Sequence, residues 1–214
     1  MNPIASHTLS PVLSQTTLTS LIRYVDILQE WNPRIRLTGF RSEGEICRHL
    51  LLEPILAYNY LENRLPDSFP RVDFGSGNGS PGLILALIDP NHHYILVERS
   101  GKKRAFLDYA ARHLALTNVT ILPAIDRPLF FPIVYMKAIT IRDFLFDPMV
   151  RRFLTSSCFF IRFGDDTSPS CYSLCSCVIN GGISQWTQTS SFSLSLFVFR
   201  DDLKNVPRGT FSKE

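Results

Sequence analysis

Between Asp73 and Glu98 the chain concentrates residue types that can hold a small ligand. Residues 75–82 read Gly-Ser-Gly-Asn-Gly-Ser-Pro-Gly, and such a turn lets backbone approach a ligand that a Cβ would push away. Asp73 precedes the turn and Glu98 ends the next apolar run, so two carboxylates flank it. A basic concentration follows at once. Arg99, Lys102, Lys103, Arg104 and Arg112 crowd one segment, opposed mainly by Glu98 and Asp108. That cluster can steer a polyanion such as RNA; it equally suits a solvated helix face. Among five cysteines, Cys47 and Cys158 stand alone, and Cys171, Cys175 and Cys177 are spaced C-x-x-x-C-x-C. A structural zinc site needs a second pair of ligands. None completes this set, so the thiols read as reduced and no metal is expected.

Two ligand classes use a glycine turn between a strand and a helix. Gly77-x-Gly79-x-x-Gly82 matches the dinucleotide fingerprint G-x-G-x-x-G. Gly75-x-Gly77-x-Gly79 after Asp73 instead looks like the turn of S-adenosylmethionine-dependent methyltransferases, whose glycines admit the amino-acid part of the cofactor. Glu98 can accept ribose hydroxyls of either ligand. Asp73 separates them, because a carboxylate beside the turn repels a pyrophosphate and suits a cationic sulfonium.

The elements that must position these residues follow from the pattern. Leu18, Leu21, Ile22, Val25 and Leu28 have the spacing of an amphipathic helix, which Trp31-Asn32-Pro33 should stop. Ser42-x-x-Glu45 is a capping box opening a second helix, which Pro54 should kink or restart toward Tyr60. Arg71–Phe74, Tyr94–Glu98 and Val119–Leu122 read as strands, with Ala138–Ile141 as a fourth. Between them lie helices through Leu83–Ile88, with Pro81 in the first turn, and Lys103–Leu114. Strand, helix, strand, helix, strand predicts an α/β fold with a parallel sheet. Further on, Phe144–Leu154 reads as helix, Cys158–Phe163 as a buried strand, residues 165–190 as loop and Phe192–Val198 as a strand. The chain thus divides into a helical extension, 1–65, and a sheet domain, 66–214.

Composition limits the class. The 214 residues carry 22 Lys and Arg against 19 Asp and Glu, a net charge of +3, with 45% hydrophobic residues. That suffices for a self-supporting core and argues against disorder or a coiled coil. No apolar run approaches the ~18 residues of a membrane span. The first fifteen residues lack a secretory pattern, so the expectation is a soluble cytoplasmic protein without membrane contact.

Several linked motifs resemble one bacterial family. Trp31-Asn32, Leu37-Thr38 and Arg48-His49 resemble its W-N-x-x-x-N-L-T…R-H section, and Asp73–Gly82 its D-x-G-[TS]-G-x-G-x-P-G turn. Glu98 to Lys103 with Phe106-Leu107, then Leu116-x-Asn118-Val119, resemble its [DE]-x-x-x-K-[KR]…F-L…L-x-N-[VI]. The family is the type G guanine-N7 methyltransferase of small-subunit (16S) ribosomal RNA, also called glucose-inhibited division protein B. The resemblance implies a Rossmann-like class I methyltransferase sheet, S-adenosyl-L-methionine as cofactor, and small-subunit RNA or the 30S particle as partner of a monomer. It implies cofactor contacts at Asp73, Gly75, Gly77, Gly79, Ser80 and Glu98, with Asp126 in place of the acid that frames the adenine. Arg142 takes the place of an arginine at the end of strand four, near cofactor and substrate, and is the implied catalytic residue. Lys102, Lys103 and Arg104 would meet the RNA backbone. His49 reads as a packing or capping residue and Trp31 as a core anchor. Lys137 stands where the family opens strand four with an acid, Asp143 where it has alanine, and Phe163 where it has lysine. Two alternatives stay open: a nicotinamide-dependent oxidoreductase using Gly77, Gly79 and Gly82, and a remnant that binds cofactor or RNA without catalysis.

Overall fold

A computed structural model gives the fold and describes residues 13–61, 67, 70–126, 129, 133–137, 139, 158–163, 178–182 and 193–199. Helix α1 (Gln15–Ile35) starts where the Ser14 side chain accepts the Thr17 N–H, satisfying a donor that has no partner within the helix. Leu18, Leu21, Val25 and Leu28 face the core as their spacing predicts; Ile22 is half-buried, and Tyr24 and Ile27 complete the buried face. The expected stop at Pro33 does not occur: Pro33 lies in the last turn, and the helix ends at Arg36, in the left-handed region at φ 50°. Near a helix end the proline removes only one ladder bond. Asn32 secures the exit. Its carbonyl accepts the Arg36 N–H, and its side chain accepts those of Leu37 and Thr38 at 2.7 and 2.8 Å.

The capping box of Ser42 and Glu45 opens α2 (Glu43–Ile46) as expected. A wider, π-helical segment (Cys47–Leu52) leads into α3 (Glu53–Leu61). Pro54 brings no N–H to this junction, so it cannot bond the carbonyls of His49 and Leu50 behind it. Both find partners elsewhere: Lys137 Nζ donates to the first and the Ser80 hydroxyl, at 2.8 Å, to the second.

Strands β1 (Arg71–Phe74), β2 (Tyr94–Val97), β3 (Val119–Leu122), β4 (Ile133–Lys137) and β5 (Cys158–Phe163) pair in parallel, in the order 3-2-1-4-5. Beyond β5 the sheet turns antiparallel with β7 (Ser193–Phe199) and, at its edge, β6 (Val178–Gly182). Helix α4 (Gly82–Ile88), directly after Pro81, links β1 to β2, and α5 (Gly101–His113) links β2 to β3. This is the expected α/β class. Two local expectations are corrected. The fourth strand is Ile133–Lys137 rather than 138–141, because Ile133–Met136 is the apolar run that a central strand buries on both faces. Lys137 therefore closes that strand instead of opening it. Within 165–190, read as loop, Val178–Gly182 forms a strand by pairing with β7. The helix expected at 144–154 lies outside the described residues.

One core joins the front helices to the sheet: Tyr24, Leu28, Leu50 and Ile55 cluster with Leu83, Leu85, Phe106 and Leu107. Trp31 anchors the contact, with ring centroids 5.9 Å from Phe106 and 5.2 Å from Tyr109. At the N-terminal ends of the strands a polar cluster is closed off. Asp89, 2% exposed, accepts the Tyr94 hydroxyl at 2.7 Å, pairs with His92 Nδ1 at 2.8 Å, and lies 3.7 Å from Arg71 Nε. Asn118 ties the carbonyls of Ala86, Asp89 and His92 together, a structural use of the L-x-N-V motif.

Candidate functional site

The strand order reverses between β1 and β4, and in open α/β sheets ligands bind in the crevice outside the carboxyl ends at such a switch. The glycine turn leaves β1 at that point. Gly75 and Ser76 donate their N–H groups to the Val97 carbonyl at 2.8 and 3.1 Å, which folds the turn over the end of β2. Gly79, at φ +87°, lies on packed side chains: a Cβ there would come within 2.4 Å of Leu83 Cδ1 and 3.2 Å of Leu107 Cδ2. Gly75 is exposed and Gly77 half-buried. Their N–H groups are taken by Val97 and Glu98, and a Cβ on Gly75 would come within 2.4 Å of Ile139 Cδ1, so what the two leave for a ligand is carbonyl oxygen.

The two flanking carboxylates play different parts. Asp73 is 1% exposed, and its Oδ2 accepts the Gly82 N–H at 3.0 Å. A Cβ on Gly82 would lie 2.6 Å from that oxygen. Burial pushes the Asp73 carboxyl up to about 7, against the lowering effect of its hydrogen bond from Gly82. Asp73 is thus turned into the fold and fastens the turn to the start of α4. Glu98 accepts the Gly77 N–H on Oε2 at 2.9 Å and the Ser100 N–H on Oε1 at 2.7 Å. A carboxylate has about four acceptor positions, so Glu98 retains capacity for two hydroxyl donors while being held rigid by backbone.

Ser80, expected to meet the cofactor, is buried and gives its hydroxyl to Leu50. Asp126 is exposed just beyond β3, on the same edge as Glu98, whose N–H bonds the last carbonyl of β3. Lys102 is exposed and Lys103 half-buried. Arg104 turns back, donating to the carbonyls of Glu98 and Arg99 at 2.9 and 2.6 Å. Arg142 lies outside the described residues, as do Asp143, Cys171, Cys175 and Cys177.

Sequence reasoning missed the residues that brace the turn from the front helices. The Tyr24 hydroxyl donates to the Asn78 carbonyl at 2.9 Å, and the Asn78 amide donates to the Leu37 carbonyl at 3.4 Å. Burial raises the Tyr24 hydroxyl well above the ordinary tyrosine range, with Asp73 adding to the effect, so it stays a donor. The signal was a tyrosine on the buried face of an amphipathic helix. A second group joins Lys137, Glu53 and His49: Lys137 Nζ bonds Glu53 Oε2 at 2.9 Å, and His49 Nδ1 bonds Glu53 Oε1 at 2.6 Å. Burial pushes the Lys137 ammonium down, opposed by Glu53.

Among the described residues no helix is long and apolar enough to cross a membrane, and no group of three or more His, Cys, Asp or Glu is placed to hold a metal ion. In solved structures the fold is similar to a mutant of MtNAS in complex with S-adenosylmethionine, with a TM-score of 0.54 at 15% identity over 92% of this chain and 82% of that one. The human methyltransferase 10 domain containing protein gives a TM-score of 0.51 at 8% identity, over 85% and 97%. Curated relatives called ribosomal RNA small subunit methyltransferase G include one from Neisseria gonorrhoeae (strain NCCP11945), 35% identical over 113 residues, 53% of each protein. That from Roseiflexus castenholzii (strain DSM 13941 / HLO8) is 39% identical over 115 residues, 52% of this chain and 47% of its own. The chain spans about half the length of the curated relatives it matches. The family model described as rRNA small subunit methyltransferase G matches residues 17–144, which include the braced turn and both carboxylates. The chain belongs to the rRNA small subunit methyltransferase G family.

Proposed function

We propose that this chain transfers the methyl group of S-adenosylmethionine to N7 of a guanine in small-subunit ribosomal RNA. The observation that carries this reading is Glu98, fixed by the Gly77 and Ser100 N–H groups at the end of β2 with acceptor capacity left for ribose hydroxyls. The residues present fit the cofactor: with their N–H groups taken, Gly75 and Gly77 leave carbonyl oxygens for the ammonium of its amino-acid part, and exposed Asp126 stands on the side where an adenine would lie. Bound there, S-adenosylmethionine supplies an electrophilic methyl group. Guanine N7 already carries a lone pair, so no residue has to remove a proton. The work of the chain is orientation, with Arg142 proposed to contact guanine or phosphate, and Lys102 and Lys103 to meet the RNA backbone. Arg104 contributes to the same positive field while its guanidinium closes the start of α5.

The dinucleotide reading is not favoured. Gly79, the glycine whose backbone would approach the pyrophosphate, packs against Leu83 and Leu107 instead. Incubating the chain with labelled cofactor and small-subunit RNA, then mapping methylated guanine by mass spectrometry, tests the proposal. Incorporation that disappears in Glu98→Ala is expected. A folded chain that binds cofactor but transfers nothing is a remnant, and one that binds no cofactor overturns the reading altogether.

A further inference from the structure

His49 sits at the seam of the proposed site. Its carbonyl bonds Lys137 at the end of β4, and the next carbonyl, of Leu50, bonds Ser80 in the glycine turn. The β1–β4 register sets Met136 beside Phe74, so Lys137 comes level with the start of that turn. The imidazole is held by two groups, and a third fixes one of them. Nδ1 donates to Glu53 Oε1 at 2.6 Å, the other oxygen of that carboxylate takes Lys137 at 2.9 Å, and the ring stacks on Phe40 with centroids 4.8 Å apart and planes at 14°. A carboxylate can only accept, so Nδ1 carries a proton toward Glu53 and Nε2 is the ring atom left for a ligand. The His49 side chain is 35% exposed, and among the described residues Nε2 has no partner. Arg41 and Arg48 are exposed in the same helical section, where they can meet phosphates.

We propose that His49 contacts the base to be methylated, accepting an N–H of guanine on Nε2, with Glu53 and Lys137 as the positioning residues that fix its ring. The inference rests on the guanine-N7 reading above. A base presenting N7 to the cofactor turns its N1 edge away from it, and in the proposed contact that edge meets His49. Guanine offers N1–H and the N2 amine on that edge, both donors. Adenine offers N1 as an acceptor there and donates only from N6, so an acceptor set level with N1 and N2 selects guanine. An unpaired acceptor facing an acceptor weakens binding by about tenfold or more.

The test compares wild type with His49→Ala and His49→Gln, whose amide oxygen reaches a similar position. The expected result is an S-adenosylmethionine dissociation constant and melting temperature shared by all three. For small-subunit RNA, kcat/KM should fall about tenfold or more in His49→Ala and be largely restored in His49→Gln. Guanosine monophosphate, added to chain loaded with S-adenosylhomocysteine, should shift the His49 ring-proton resonance, whereas adenosine monophosphate should not. Equal kcat/KM in His49→Ala overturns the proposal. So does a parallel loss of cofactor affinity, which would assign His49 to packing, and so does a ring resonance indifferent to both nucleotides. Wild type that binds no S-adenosylmethionine overturns the underlying reading, and this inference with it.

Discussion

The two edges of the sheet each bury carboxylates, and only one is built like a site. At the N-terminal edge Asp89 is surrounded by side chains: Tyr94, His92 and Arg71 consume it from different directions. At the C-terminal edge Asp73 and Glu98 are held by the backbone N–H groups of Gly82, Gly77 and Ser100. Side-chain partners close Asp89 off; backbone partners hold Asp73 turned into the fold and hold Glu98 still with acceptor positions left over. Burial and charge alone do not separate the two edges. The kind of partner does.

Substitutions at each edge should therefore separate stability from cofactor binding. The largest effect falls on Asp89→Ala, which leaves the Arg71 guanidinium buried without its counter-charge. Urea unfolding should show a loss of about 3–5 kcal/mol, with the cofactor affinity of the folded fraction unchanged. Glu98→Gln should do the reverse. It replaces a charged acceptor with a neutral amide, so calorimetry should show cofactor affinity falling by about 3 kcal/mol, roughly a hundredfold, with a smaller change in melting temperature.

Asp73 makes its edge sensitive to pH. Burial raises its carboxyl from 3.8 to about 7, so the folded state holds a proton that the unfolded state has released. Its stabilising contribution is present below pH 3.8 and is lost as pH rises through about 7, with a slope of at most about 1.4 kcal/mol per pH unit. Asp73→Asn, whose amide oxygen still accepts the Gly82 N–H, should flatten that slope in unfolding measured from pH 5 to 8. The smallest effect is expected for Tyr24→Phe. Losing the hydroxyl donor to Asn78 should cost about 1 kcal/mol and weaken cofactor binding severalfold, since the turn loses one brace.

Much of this comparison was legible in the sequence, and the gaps have physical causes. Arg71–Phe74 and Val119–Leu122 stand as strands where the apolar runs place them. The fourth strand did not show itself: Ile133–Met136 is buried throughout and has no alternation, and its place is fixed by pairing with β1. Val178–Gly182 ends in two glycines and becomes a strand only beside β7. In the site, the glycine spacing marks the turn, while the direction of its side chains is set by packing. Asp73 and Ser80, residues of the turn motif, are spent inside the fold, and Arg104 folds back on the start of its own helix. Tyr24 reaches Asn78 across 54 positions, and Lys137 reaches His49 across 88; contacts that distant leave no mark in local spacing.

The most direct measurement is a calorimetric titration of the folded chain with S-adenosylmethionine, wild type beside Glu98→Gln. Wild type should bind one equivalent, and the variant, still folded, should bind about a hundredfold more weakly. Equal binding by the two proteins, or none by folded wild type, would contradict the assignment of the C-terminal edge as the cofactor site.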